Sequence, residues 1–324
     1  MRRREFIAAL GGAAVWSMPA LSQPTKVWRV GYLSPALSDK NLADAAFFEA
    51  FRQQMKELGY VEGKNLVIEA RYAEGDLARL PALAADLVSL APDVIVGANS
   101  ASTAALQKAT PSIPIVMGTT GDPIGAGFIK SLARPGGNIT GTTSQSAELT
   151  AKALELLHIA VPNAKRIAVL MSPAAQHQTM LKEAYAAAGQ LGLTITPVMA
   201  RTPADFDEAF ATMRKEGCDA LLVLADPRIV RKLVELSEQL LLPTMYQSTG
   251  FVEMGGLISY SADVSELFRH VAIYVDKILR GANPADLPVE QPTRLALEVN
   301  VKTAKSLGIT IPDILLVRAD KVIE

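Results

Sequence analysis

One cysteine in 324 residues, Cys218, excludes an intrachain disulfide and any cysteine-built zinc or iron–sulfur cage. Histidine is nearly as scarce: His158, His177 and His270 form no i,i+3 or i,i+4 pair, which leaves little for a histidine metal site or a histidine-based triad. Charge of one sign is missing too. With 32 basic against 33 acidic side chains the net charge is -1, and no local basic patch compensates, so nucleic acid is not an expected partner. No stretch beyond the N-terminus is apolar for the roughly 20 residues that a membrane-spanning helix needs. Enzyme signatures are also lacking: there is no G-x-x-x-x-G-K-[ST], no G-x-S-x-G and no H-E-x-x-H. Gly125-Ala126-Gly127 runs on into Phe128-Ile129-Lys130 and so does not complete G-x-G-x-x-G; after Pro123 it reads as close helix packing. The expectation is no metal, no cofactor and no catalytic residue.

What is present is an ordinary globular composition, 49% apolar and 20% charged, long enough for about two domains of roughly 150 residues each. The first residues read as processing information. Arg2-Arg3-Arg4 stands before an apolar, Gly/Ala-rich stretch from Phe6 to Met18, too short to span a bilayer, and Ala20-Leu21-Ser22 offers small residues for cleavage before Gln23. Arg3-Arg4-Glu5-Phe6-Ile7 also fits a twin-arginine pattern. Residues 1–22 are therefore expected to be a signal peptide, and the protein periplasmic. Cleavage removes three Arg and one Glu, which takes the net charge from -1 to -3. No cysteine lies near the cleavage site to carry a lipid anchor.

From residue 26 short β-branched runs alternate with longer amphipathic ones, the pattern of βαβ units building a parallel sheet. Strands are expected at Val27–Leu33, Asn65–Arg71, Asp93–Val96, Ile113–Met117 and Asn138–Thr143, with helices at Leu42–Leu58, Leu80–Leu90 and from Ser100. A second series follows the polar stretch Thr142–Ser146: helix Leu149–Ala160, strand Arg166–Met171, helix Gln178–Leu191, strand Thr194–Val198, helix Pro203–Lys215, strand Ala220–Leu224, helix Pro227–Leu240 and strand Thr244–Tyr246. Strand Leu257–Tyr260, helix Val264–Leu279, strand Leu295–Val299 and helix Lys302–Leu307 remain, too few for a third domain. The fold class is therefore α/β, with two doubly wound, Rossmann-like lobes, a hinge and a cleft between them. Sharing the tail between the lobes gives 24–143 plus 262–290 for the first and 144–261 plus 291–324 for the second, with crossings near 143, 261 and 291.

Ligands of doubly wound sheets sit beyond the carboxyl ends of the strands. The residues there are Ser34, Asn99, Ser100, Ala101, Ser102, Thr119, Thr120 and Asp122 in the first lobe, and Gln145, Ser172, Asp226, Tyr246 and Gln247 in or beside the second. Ser100 to Thr103 open a helix whose free N–H groups and dipole suit a carboxylate, although one of these hydroxyls also suits an ordinary N-cap. Asp122, in Gly121-Asp122-Pro123, either pairs with a ligand ammonium or caps a helix starting near Ile124; Asp226 before Pro227 has the same two readings, with the cap favoured. His177 opens a helix where it could reach the cleft, His158 and His270 fall inside amphipathic helices, and Cys218 reads as a small core residue. The sequon Asn138-Ile139-Thr140 carries little weight.

Several long motifs now converge. Gly31-Tyr32-Leu33-Ser34, the run Thr119-Thr120-Gly121-Asp122-Pro123-Ile124-Gly125-Ala126-Gly127 with Ala133-Arg134-Pro135-Gly136-Gly137-Asn138-Ile139-Thr140-Gly141 behind it, Pro284-Ala285-Asp286-Leu287-Pro288-Val289-Glu290, and Ala304-Lys305-Ser306-Leu307-Gly308-Ile309-Thr310-Ile311-Pro312 resemble the ABC-transporter substrate-binding proteins of the TrpX-like family. The resemblance implies a periplasmic-binding-protein type I fold, a small solute held between two lobes, and delivery to the transmembrane subunits of an ABC permease, with only peripheral contact with the membrane complex. It also implies an amino acid ligand, aromatic by preference. By the same analogy Ser100 and Asp122 fall on ligand-binding positions, whereas Asn99 and Ala101 depart from the usual Gly and Pro.

Two other readings stay open from the residues: a ligand-sensing receptor module of the same fold, and an exported hydrolase or isomerase using Asp122 with a cleft hydroxyl. The export signal makes a direct prediction. Mass spectrometry of protein recovered from the periplasm should find a mature chain beginning at Gln23; retention of Met1 or Arg2 would overturn the cleavage.

Overall fold

The computed structural model describes residues 26–36, 42–225 and 231–324. The expected signal peptide 1–22, the residue Asp226 and the start of the helix expected at Pro227 lie outside them.

Two sheets organise the chain. The first is built from β1 (Trp28–Ser34), β2 (Leu66–Tyr72), β3 (Val94–Asn99), β4 (Ile115–Thr120) and β5 (Ile139–Thr143), all parallel and in the order β2-β1-β3-β4-β5. Between them run α1 (Leu42–Glu57), α2 (Leu80–Ser89) and α3 (Ser100–Ala109). The second series begins with α4 (Ser146–Ala160), β6 (Arg166–Met171), α5 (Ala175–Leu191), β7 (Thr194–Met199), α6 (Phe206–Lys215), β8 (Ala220–Val223), α7 (Arg231–Gln239) and β9 (Thr244–Tyr246). It continues with β10 (Ile258–Ala262), α8 (Val264–Leu279), β11 (Leu295–Asn300), α9 (Val301–Ser306), α10 (Asp313–Arg318) and β12 (Lys321–Ile323). The second sheet has the order β12-β11-β10-β9-β8-β6-β7, parallel except where β11 runs against β10.

Both sheets bury both faces, and the strands show it residue by residue, because successive side chains point to opposite sides. In β3, Val94, Val96 and Ala98 join one apolar cluster with α1 and α8, whereas Ile95 joins another with α2 and α3. In β8, Ala220 and Leu222 pack toward α4 and α5, whereas Leu221 and Val223 pack toward α6 and α7. Hence the near-continuous apolar runs of the central strands.

α8 follows β10 of the second sheet yet packs on α1 and over β3, β4 and β5 of the first. The chain returns through Glu290, whose N–H donates to the Gly141 carbonyl at 3.0 Å while its own carbonyl accepts from Thr143 N at 2.9 Å. Tyr274 fastens the same return by donating its hydroxyl to the Pro288 carbonyl, and His270 Nδ1 lies 2.5 Å from Glu290 Oε2. Burial, with Glu290 beside it, holds the Tyr274 phenol protonated well above its ordinary range.

Three expectations need correction. No helix begins near Ile124: residues 122–128 form successive turns, and Asp122 Oδ1 accepts from Gly125 N at 2.8 Å within them, because Gly125 and Gly127 favour turns over a helix. The cap of α3 is not a hydroxyl but the Asn99 side chain, which accepts from Ser102 N at 3.0 Å. α10 and β12, too short for a periodic pattern to register, add a helix and an edge strand beside β11 beyond the expected elements.

Gly141 is the tightest point of the first sheet. It has φ +131°, and a Cβ there would stand 2.2 Å from the Met117 carbonyl oxygen of β4. Gly141→Ala is expected to cost about 3 kcal/mol or more in denaturant unfolding, since the obstruction is backbone and cannot swing aside.

Candidate functional site

In the order 2-1-3-4-5, connections leave β1 and β3 in opposite directions, which opens a crevice at their carboxyl ends. The second sheet repeats the pattern with β7-β6-β8-β9-β10. A cavity of about 80 Å³ lies between the two sets of strand ends, several-fold the roughly 10–15 Å³ that one water requires.

Its first-lobe wall comes from Tyr32 and Ser34 of β1, Ala98 and Asn99 of β3, Thr119 of β4 and the rings of Phe47 and Phe268. The ring centroids of Phe47 and Phe268 are 5.9 Å apart and their planes nearly parallel, and Tyr32 sits 6.3 Å from Phe268. α1 and α8 pack on each other to deliver these rings, so the aromatic wall is one edge of the apolar cluster beneath it. The second-lobe wall comes from Ser146 and Leu149 of α4, Gln176 of α5, Ala225 after β8, and Gln247, Ser248 and Phe251 after β9. Tyr260 and Ser261 of β10 and Val264 close the side where the chain crosses. No described residue on this wall carries a formal charge.

The polar groups fall into two kinds. Some are held: Thr119 donates to the Ala98 carbonyl at 3.0 Å, and Gln247 Nε2 donates to Thr150 Oγ1 at 3.1 Å and to the Ser146 carbonyl at 3.3 Å. Others are buried with no partner among the described residues, namely Gln176 Oε1 and Ser261 Oγ. An unsatisfied buried polar atom costs free energy, and facing a cavity it is ready to bond a guest.

Of the residues singled out from the sequence, Ser34, Asn99, Thr119 and Gln247 meet at this cavity. Ser100, Ala101, Ser102, Thr120, Asp122, Gln145, Ser172 and Tyr246 do not line it. Ser102 and Thr120 are fully buried behind the wall, and Tyr246 is buried in stacking on Phe251 with its ring centroid 5.2 Å away. Burial pushes the Tyr246 phenol up, so it stays neutral. Gln145 turns away, donating to Glu148 at 2.9 Å, and Ser172 is taken up by His177. Sequence reasoning passed over Tyr32, Phe47, Gln176, Phe251, Tyr260, Ser261 and Phe268. The rings among them read as core, and only the three-dimensional edge of the core distinguishes those that face the cleft; Gln176 stood beside His177 and Ser261 at an expected crossing, which marked neither as a wall residue.

A sequence model of the ABC transporter substrate binding protein family matches residues 43–323. The chain belongs to that family. A tyrosine-binding protein of Clostridioides difficile (strain R20291) is 26% identical over 263 residues, 80% of this chain and 75% of that protein. An ABC domain from Streptococcus pneumonia, solved in complex with L-Trp, is 28% identical with a TM-score of 0.84, covering 92% of this chain and all of that one. A conserved domain protein from Vibrio cholerae is 30% identical with a TM-score of 0.85 at the same coverage. The motif resemblance to TrpX-like proteins and the type I periplasmic-binding fold therefore hold, and the chain is the substrate-binding component of an ABC transporter.

For such a protein Ser261 carries a clear expectation. Its side chain is buried on β10 with an Oγ at the cavity that no described residue bonds, a group that costs stability until a guest bonds it. Ser261→Ala should leave the ligand-free protein as stable or up to about 1 kcal/mol more stable, while weakening solute binding. Thermal unfolding with and without solute checks both halves; a lower melting point in the absence of solute would contradict the first.

Proposed function

We propose that the protein captures an aromatic amino acid in this cavity, outside the cytoplasm after export by residues 1–22, and hands it to the transmembrane subunits of its transporter. The observation that carries the reading is the wall: aromatic rings from both lobes, hydroxyls and amides between them, and no described charge. Phe47, Phe268, Phe251 and Tyr260 all line the cavity, and burial of a flat aromatic side chain among them would contribute most of the affinity. The polar end then faces the edge where Asn99 opens α3. There a carboxylate is favoured by the positive dipole end of the ten-residue α3, whose cap Asn99 lines the cavity, and an ammonium by the oxygens of Ser34, Thr119, Gln176 and Ser261. The names of two relatives, one tyrosine-binding and one solved with L-Trp, support the same ligand class.

Transport requires two states. The lobes, 24–143 with 262–290 and 144–261 with 291–324, close about the three crossings, and the solute favours closure because only the closed form lets both walls touch it. Binding of this kind asks for no catalytic group, cofactor or metal. Among the described residues no helix is long and apolar enough to cross a membrane.

Calorimetry against single amino acids tests the ligand. L-Tryptophan, L-tyrosine or L-phenylalanine should bind at least tenfold tighter than L-leucine, L-lysine or L-glutamate, and Phe47→Ala should weaken that binding by about tenfold, the worth of one aromatic contact. Preference for a charged or aliphatic amino acid would sink the aromatic reading.

A further inference from the structure

In the first lobe the crevice between the switch-point strands β1 and β3 is open to the cavity through Ser34 and Asn99. The equivalent crevice in the second lobe, between β6 and β8, is occupied by a side chain of the protein. His177, 1% exposed at the start of α5, accepts at Nδ1 from Ser172 N at 2.8 Å, with Ser172 Oγ 2.9 Å from the same nitrogen. Its Nε2 lies 3.0 Å from the Ala225 carbonyl. A backbone N–H can only donate, so Nδ1 is the acceptor, the proton sits on Nε2, and Nε2 donates to Ala225. The ring therefore bridges the end of β6 to the end of β8 in one tautomer. Both of its flanks reach the cavity: Gln176 is the preceding residue, and Ala225 is the residue it holds.

We infer that His177 is a positioning residue: by bridging Ser172 to Ala225 it fills the second lobe's crevice and fixes the Gln176 and Ala225 portion of the cavity wall, so that solute is read there by a preset surface. The inference rests on the cavity being the solute site. Preorganisation of this sort raises affinity by sparing the solute the cost of ordering the wall. The two ring bonds do different work. The bond to Ser172 N satisfies a buried donor at the foot of α5, whereas the bond to Ala225 reaches across the crevice and sets the wall. A merely structural histidine makes no such distinction.

Two substitutions separate the bonds. His177→Asn keeps an acceptor near the Nδ1 position for Ser172 N and loses the donor to Ala225; His177→Gln keeps a donor near the Nε2 position and loses the acceptor. Both are expected to lower the melting point. Only His177→Asn should weaken L-tryptophan or L-tyrosine binding, by roughly tenfold, the scale of one lost buried hydrogen bond, while His177→Gln stays within about threefold of the wild type. A readout without solute accompanies it: the amide of Leu224, which donates to the Leu170 carbonyl at 3.2 Å beside Ala225, should exchange with deuterium faster in His177→Asn than in His177→Gln. Equal exchange in the two folded variants would reduce His177 to packing, as would equal affinities. A wild-type protein that binds none of the aromatic amino acids defeats the ligand reading instead, and the exchange comparison then decides the role of His177 alone.

Discussion

Two sheets, one parallel and one parallel but for the β10–β11 pair, each covered by helices on both faces, leave very few places where polar groups can gather. Crossover helices bury the flats of the sheet, and the backbone groups of the strands are spent on one another. Only the strand ends remain open, and at the carboxyl ends the helices start with N–H groups still free. Setting two such ends face to face makes a cavity with dipoles and small hydroxyls on its floor and the margins of the apolar clusters as its walls. The aromatic character follows from the same constraint. Phe47 and Phe268 belong to helices that pack on the first sheet, and they reach the cavity because that packing ends there.

This explains which features were readable beforehand. The alternation of strand and helix was legible nearly to the residue at Arg166–Met171 and Val264–Leu279, because strands buried on both faces give unbroken apolar runs and α8 has a sharply one-sided apolar stripe. The turn after β4 was misread as a helix because Pro123 and Asp122 make a good N-terminus locally, while two glycines three and five residues on undo it. The strand-end rule located Ser34, Asn99, Thr119 and Gln247. It could not rank hydroxyls, since whether a Ser or Thr at a strand end faces the cleft or the helix behind it depends on a half-turn of backbone that composition does not encode. Ser102 and Thr120 went inward by that half-turn.

A pairing of opposite charges across the cleft is the intuitive way to hold an amino acid, and Asp122 with the α3 N-terminus seemed to supply it. In the proposed site the wall works on another principle. A carboxylate buried beside an aromatic slot must be desolvated in the ligand-free protein as well as the liganded one, and that cost is large unless it is fully hydrogen-bonded. Asp122 is instead spent on the turn at Gly125. Neutral dipoles cost less to bury, and several of them aimed at one point favour a charge on the guest without carrying one themselves. Gln176 Oε1 and Ser261 Oγ, buried and without a partner among the described residues, fit that arrangement.

The same economy governs the crossings. Two of the three run side by side, Glu290 paired through its N–H to Gly141 and through its carbonyl to Thr143, so they behave as one ribbon attached to the first sheet. Immediately beyond that ribbon stands Gln145, a non-glycine residue at φ +51°, whose N–H is held by Thr143 Oγ1 at 3.2 Å. A left-handed residue of this kind is strained and persists because its surroundings fix it. Only a short stretch separates the last ladder bond of β5 from the first turn of α4. The third crossing is equally short: β10 ends at Ala262, and Asp263 caps α8 by accepting from Glu266 N at 3.1 Å. In the closure proposed for transport, crossings pinned by hydrogen bonds within a residue or two of a rigid element favour rotation about the line they define.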